Sequence, residues 1–267
     1  MHLYAARFIR QGGKKIYHEI VECPKLGSDV ADTAAQMSHL VGNSRLVSSQ
    51  MRKLFPSLPL STIPFLTSEG PAFPPLVCSI LPGHTLRLVF LGRVVPHKRP
   101  DILVQEWTNL VTLPGLAPAR LDIHGGDSGN GMIEALRRLV REKGLESQIG
   151  IHGPYDMLAL PDILASTDLV VLPSQKEGLP LVLVEAMQRG IPIVATSAGG
   201  CEELSDGNPD VIITPGVGWE DFVTGLSTMA VLIREGAIRP SRLHIWAEKH
   251  YGFNAVSAAW INLLTKA

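Results

Sequence analysis

The stretch Asp168–Thr196 reads DLVVLPSQKEGLPLVLVEAMQRGIPIVAT. It opens on a short β-rich apolar run, Asp168 to Pro173, and closes on another, Ile191 to Thr196. Between them PLVLVEAMQRG fits a helix. Pro180 suits its first position, where a missing N–H costs nothing, and Gly190 suits its stop. Two apolar strands joined by a helix in so short a span predict parallel strands buried on both faces. Two carboxylates, Glu177 and Glu185, bracket the apolar run. Burying Glu185 among Leu181, Val182, Leu183 and Val184 without a partner is costly, so the segment needs something to bind.

The same alternation extends on both sides. Strand-like runs stand at Leu86 to Leu91, Arg120 to His124, Gln148 to His152 and Val211 to Thr214. Helical patterns start at Pro100 (PDILVQEWTNL), Asn130 (NGMIEALRRLVREKG) and Pro161 (PDILAST), the second with Gly144 as its stop. From about Trp219 to Ala267 the pattern is helical only. The expected fold is α/β, a Rossmann-like doubly wound parallel sheet covered by helices.

Residues 1–85 read differently. The opening MHLYAARFIRQGGKK is basic and weakly amphipathic. It suits an ordinary helix and loop, and a membrane-surface or transit helix is the other reading. A strand over Lys15 to Val21, a helix near Asp29–Val41 and a strand-to-helix step over Arg45 to Leu54 are expected next. A Pro- and Ser-rich linker from Leu54 to Leu76 follows, with a short strand near Leu60–Ile63. The expected division is a partial second α/β domain plus linker over 1–85 and the Rossmann-like domain over 86–267.

With 45% hydrophobic and 18% charged residues the chain is globular, and 24 basic against 25 acidic residues create no strong field toward nucleic acid. Three dispersed cysteines, without Cys-x-x-Cys spacing, suit a reducing compartment. A cytoplasmic protein, with the membrane surface as an option, is the expectation. No apolar run reaches the ~20 residues that span a bilayer.

In open parallel sheets ligands bind at the carboxyl ends of the strands. The segments that follow those ends are GRVVPHKRPD, GGDSGNG, GPYD, SQKEGLP and SAGGCEE, each with glycine, which lets backbone amides approach a ligand. Arg93 and Lys98, five residues apart, suit a diphosphate; alone, they equally suit a solvated basic turn. The helix amides near Gly178 to Val182 favour a phosphate. Glu185 suits a ribose diol, since a carboxylate accepts from two hydroxyls. Taken singly, Glu185 also suits a satisfied buried acid and Glu177 a charge at a helix N-terminus. Together these residues describe a site for a nucleoside diphosphate attached to a sugar.

The segment Ser174 to Thr196 resembles the retaining GT-B glycosyltransferases of family 4, whose signature is two glutamates separated by seven residues. GRVVPHK (Gly92 to Lys98), DIHGGD (Asp122 to Asp127), IGIHG (Ile149 to Gly153) and GGCEELSDG (Gly199 to Gly207) join it in the family's order. The resemblance implies a two-domain fold whose C-terminal domain binds a nucleotide sugar, and transfer of a hexose to an acceptor with retention. It implies that Arg93 and Lys98 stabilise the departing diphosphate and that Glu177 contacts the transferred sugar. Glu185 would hold the ribose, with Gly92, Gly178 and the amides of Leu181 and Val182 completing the donor site. The loop Gly153 to Asp156, with Tyr155, would lie by the base. His18 is the candidate on the acceptor side, while His97, His124 and His152 read as structural or loop residues.

The expected donor is a UDP, GDP or ADP sugar, with no tightly bound cofactor and no metal. The expected acceptor is a glycan, a lipid or a small molecule, with peripheral membrane contact as an option and no nucleic-acid partner. The family's N-terminal domain is larger than the 85 residues found here, so most of it is expected to be missing. Two alternatives are a truncated module that binds a nucleotide sugar without turnover and, less fitting, a GT-B sugar-nucleotide epimerase.

Overall fold

The computed structural model describes residues 9–11, 14–19, 37–66 and 83–265, the first two stretches by their backbone alone. Strands β1 (Ile9–Gln11), β2 (Lys14–Glu19), β3 (His39–Gly42) and β4 (Leu60–Thr62) form a sheet in that order, with β1 antiparallel to β2 and the rest parallel. Ile9–Gln11 is therefore extended, not part of an amphipathic helix. His39–Gly42 is a buried strand, where a helix near Asp29–Val41 was expected; residues 29–36 lie outside the described residues. Leu40 and Val41 are fully buried, and a run that short takes its form from the strands beside it.

All of Arg45–Leu54 is helix α1, so the strand-to-helix step falls earlier than expected. The Ser44 hydroxyl accepts from Val47 N at 3.2 Å, which stops β3 and starts α1. Val47 and Met51, one helical turn apart, close on Met37 and Leu40. Arg52 and Lys53 suit its C-terminal dipole. Strand β4 falls within the expected short strand, and residues 67–76 of the expected linker, with 77–82 after it, lie outside the described residues.

The second sheet holds β5 (Leu86–Leu91), β6 (Ala119–His124), β7 (Ile149–Gly153), β8 (Leu169–Leu172), β9 (Ile193–Thr196) and β10 (Val211–Thr214). All six are parallel, in the order β10-β9-β8-β5-β6-β7. Every expected strand from Leu86 onward is present. Each residue of β8 and β9 is buried, as two covered faces require.

The helices are α2 (Pro100–Gln105), α3 (Trp107–Leu110), α4 (Met132–Glu142), α5 (Leu160–Ala165), α6 (Leu181–Gln188), α7 (Trp219–Arg234), α8 (Pro240–Tyr251) and α9 (Phe253–Thr265). The single helix expected from Pro100 is broken at Glu106, whose backbone leaves the helical region. Pro180 is not the first helical residue. It caps α6 with extended backbone (ψ 108°), and the helix begins at Leu181. Gly144 (φ 64°) and Gly190 (φ 74°) lie just past the ends of α4 and α6 in the left-handed conformation that stops a helix.

The large core runs through both faces of the second sheet, with Phe90, Trp107 and Phe222 among its fully buried side chains. The last helix reaches back to the first sheet, where Val256 of α9 packs with Val41 and Ile63.

Candidate donor site

Numbered in chain order, the second sheet reads 3-2-1-4-5-6. The direction of winding reverses between β5 and β8, and in open parallel sheets ligands bind outside the carboxyl ends of the strands at such a switch point. The segments leaving these two strands are Gly92–Lys98 after β5 and Pro173–Pro180 after β8. Gln175 N donates to His97 O at 2.7 Å and joins the two segments.

Lys98 closes a short 3₁₀ turn, Pro96–Lys98, and its side chain turns inward. Lys98 Nζ donates to Glu177 Oε1 at 2.6 Å, and Ser174 Oγ donates to the same oxygen at 2.6 Å. The two charged side chains are only 10% and 8% exposed. Such a pair holds if its geometry is good and its remaining groups are satisfied. The Thr196 hydroxyl donates to the Ser174 carbonyl and ties this loop to β9. Gly92 (φ 137°) lies beneath Lys98: a Cβ there would sit 3.6–3.8 Å from its Nζ, Cε and Cδ.

Arg93 is exposed, and its guanidinium makes no hydrogen bond or ion pair among the described residues. Of the two expected cations, one is therefore buried and paired and the other is open to solvent. His97 lies among them. Burial lowers its pKa first, and the charges of Lys98 and Arg93 lower it further.

Glu185, on the second turn of α6, is half-buried. It has no hydrogen-bond or ion-pair partner among the described residues, and burial raises its pKa. Tyr155, from the loop after β7, is pushed up to about 12 by burial and by the charge of Glu185. These two groups thus share one electrostatic neighbourhood, which spacing alone did not reveal. Pro180 offers α6 no side-chain cap, so the half-buried Leu181 and Val182 begin a helix whose first-turn amides have no such partner. Gly178 lies just before this helix, half-buried.

The wall toward β6 and β7 is built from rings. His124 stacks on His152 at 4.2 Å with the planes 6° apart, and Tyr155 meets His124 edge-on at 6.2 Å. Asp122 Oδ1 lies 2.6 Å from His152 Nε2, and Arg120 Nε donates to Asp122 Oδ2 at 3.1 Å. Burial, followed by His152, lowers the His124 pKa to about 4, so this ring is neutral near pH 7. Gly153 (φ 84°) ends β7, and its carbonyl accepts from Gly125 N at 2.7 Å.

Not every strand-end glycine leaves room for a ligand. A Cβ on Gly125 would fall 1.7 Å from Gly92 O, and one on Gly199 would fall 2.1 Å from Glu177 O. At these two positions glycine permits backbone to pack on backbone, a correction to the sequence reading. Ser174 was missed; its place three residues before Glu177 in the same turn was the available signal. His18 lies on β2 opposite Val41, and its side chain is outside the described residues. Among the described residues no cluster of three His, Cys, Asp or Glu side chains is placed to hold a metal, and no helix is long and apolar enough to cross a membrane.

Comparison with known proteins agrees with this architecture. The D-inositol 3-phosphate glycosyltransferase of Rhodococcus erythropolis is 33% identical over 91 residues, which are 33% of this chain and 20% of the relative. That of Stackebrandtia nassauensis is 37% identical over 93 residues, 33% of this chain and 21% of the relative. The matched stretch thus spans about a fifth of these relatives' length. Among solved structures, Anabaena Alr3699/HepE in complex with UDP superposes with a TM-score of 0.76 at 18% identity, covering 94% of this chain and 72% of that one. Sucrose-phosphate synthase from Thermosynechococcus elongatus gives 0.75 at 16% identity, covering 94% and 67%. The fold is that of the GT-B glycosyltransferases. Residues 85–230, more than half of the sequence, match the family described as glycosyl transferases group 1, and the chain belongs to that family.

Proposed function

We propose that this chain binds a nucleoside diphosphate sugar at the β5–β8 switch point and transfers its hexose to an acceptor with retention, in the manner of the family 4 enzymes. The observation that carries the reading is the pairing of Lys98 with Glu177 at the switch point, together with a half-buried Glu185 whose carboxylate has no hydrogen-bond or ion-pair partner among the described residues. In this reading Glu185 accepts hydrogen bonds from the ribose hydroxyls, which replace the water it lost on burial. Tyr155 and the loop from Gly153 to Asp156 lie against the base. The amides of Leu181 and Val182 meet phosphate.

Transfer separates a sugar cation from a departing diphosphate. Negative charge grows on the leaving group, so fixed positive charge there stabilises the transition state most. Lys98 Nζ has three N–H donors and gives one to Glu177, leaving two for phosphate oxygens. Arg93 supplies a second cation from the open side. Glu177, held by Lys98 and Ser174, is oriented toward the transferred sugar. An acceptor hydroxyl attacks from the face the leaving group vacates and passes its proton to the departing diphosphate oxygen, so the new bond forms with retention. The acceptor, a glycan, a lipid or a small molecule, would approach from the first sheet, where His18 is the candidate residue. A cytoplasmic site of action, with or without peripheral membrane contact, suits this chemistry.

Calorimetric titration with UDP, GDP and ADP, then with the matching sugars, tests the reading. UDP is the first candidate, because HepE is solved with UDP and with UDP-glucose. Binding of one nucleotide that weakens in Glu185→Ala supports the donor site; no binding to any of the three overturns it. Release of free sugar or transfer to added acceptor then separates an enzyme from a protein that only binds.

A further inference from the structure

Glu203 lies in the GGCEELSDG stretch and has no part in the donor chemistry above. It sits on the 3₁₀ turn Gly199–Ser205, which follows β9 of the second sheet. Its side chain, 13% exposed, reaches the helix of the first sheet. Glu203 Oε1 accepts from Arg45 N at 2.5 Å and from Leu46 N at 3.3 Å, and Oε2 lies 3.6 Å from Arg45 Nε. The Arg45 guanidinium also pairs with Asp206, just beyond the same turn. Two of the first-turn amides of α1 are thus satisfied by a carboxylate 157 and 158 residues further along the chain. A carboxylate at a helix N-terminus is stabilised by the helix dipole. Burial opposes this and raises the Glu203 pKa, while the hydrogen bonds from Arg45 and Leu46 pull it down.

The same turn also presses on the Glu177 loop. Gly200 N donates to Gly178 O at 2.5 Å. A Cβ on Gly200 would lie 2.8 Å from Ser44 Cβ and 2.9 Å from Gly178 O, and one on Gly199 would lie 2.1 Å from Glu177 O. Seven residues therefore meet the start of α1 and the loop that carries Glu177, without room for even a methyl group between them.

We infer that Glu203 is a positioning residue: by clamping the N-terminus of α1 to the Gly199–Ser205 turn, it fixes the Glu177 loop and couples the first sheet to the donor site. The clamp stands on contacts alone; its effect on donor binding rests on the function proposed above.

The test uses the full chain as wild type, Glu203→Ala and Glu203→Gln. The first readout is amide hydrogen exchange by NMR at Arg45, Leu46 and Gly200. In Glu203→Ala, exchange accelerates at least about tenfold at all three, because loss of the cap also loosens the Gly200–Gly178 hydrogen bond. Glu203→Gln, which keeps a side-chain oxygen acceptor, accelerates the same three amides less, and it serves if the alanine variant does not fold. Acceleration confined to Arg45 and Leu46, with Gly200 protected as in wild type, overturns the coupling. The second readout is affinity for UDP, expected to fall about five- to tenfold in Glu203→Ala and to recover in Glu203→Gln; unchanged affinity in Glu203→Ala overturns the link to the donor site. If the wild type binds no nucleoside diphosphate, the donor reading has failed, and exchange at Gly200 alone decides the clamp.

Discussion

The loop after β8 and the helix that follows it each carry a glutamate, and the two sit in opposite situations. Glu177 is buried and already answered, with Lys98 Nζ and Ser174 Oγ both 2.6 Å from one of its oxygens. Glu185 is half-buried and has no hydrogen-bond or ion-pair partner among the described residues, so burial raises its pKa. One carboxylate is part of the folded scaffold, while the other, under the proposed function, is the one that receives the ribose of the donor. Residue type and spacing are alike at the two positions; their partners make the difference.

The sharpest way to break this comparison is Lys98→Ala. It leaves Glu177 buried beside Ser174 alone, and losing one member of a buried pair typically costs about 3–5 kcal/mol. Urea unfolding should show a loss of that order, and diphosphate binding should vanish with it. A double-mutant cycle with Glu177→Ala should be strongly non-additive; simple additivity would mean that the pair contributes nothing as a pair.

Gly199→Ala acts on the same loop from behind. It forces a side chain into φ 61° and drives its Cβ against Glu177 O. A loss on the order of 2–3 kcal/mol is expected, since unfavourable backbone of this kind alone costs about 1–3 kcal/mol. An unaltered unfolding midpoint would show that the turn yields freely.

Glu185→Ala should do the reverse of Lys98→Ala. Hydrogen bonds to a charged group contribute about 1.5–3 kcal/mol, so nucleotide affinity should fall roughly 10- to 100-fold, while unfolding stability holds or rises. A stability loss as large as that in Lys98→Ala would make Glu185 a scaffold residue and erase the contrast.

The smallest effect is the pH dependence. The folded-state pKa of Glu185 is raised above its ordinary value of 4.5. Its contribution to stability is therefore fully present below pH 4.5 and is lost as pH rises through the folded pKa. Glu185→Gln removes this loss, so the variant's stability relative to wild type should climb across that window and then level off. Ribose hydroxyls favour the carboxylate, so nucleotide binding to the wild type should release protons there, visible as buffer-dependent calorimetric heats. A flat difference between the two stability curves would place the raised pKa elsewhere.

Much of this protein was legible from local chemistry. The strands from Leu86 onward, the stops at Gly144 and Gly190 and the positions of Glu177 and Glu185 follow from neighbours a few residues away. The misread segments are those where neighbours decide little. His39–Gly42 is extended because it lies between β2 and β4, and helix α6 begins one residue late because Pro180 takes extended backbone as its cap. By itself, the sequence determined the order of elements, the loops that leave the strands and the residue types that any ligand must meet. Only the tertiary structure decided that Lys98 and Glu177, 79 residues apart, form one buried pair, and that Glu203 caps a helix 158 residues before it. Periodicity, caps and stops act over one or two helical turns. Which loops meet depends on how β5 and β8 pair across the switch point, and that is fixed only once the whole sheet has closed its core.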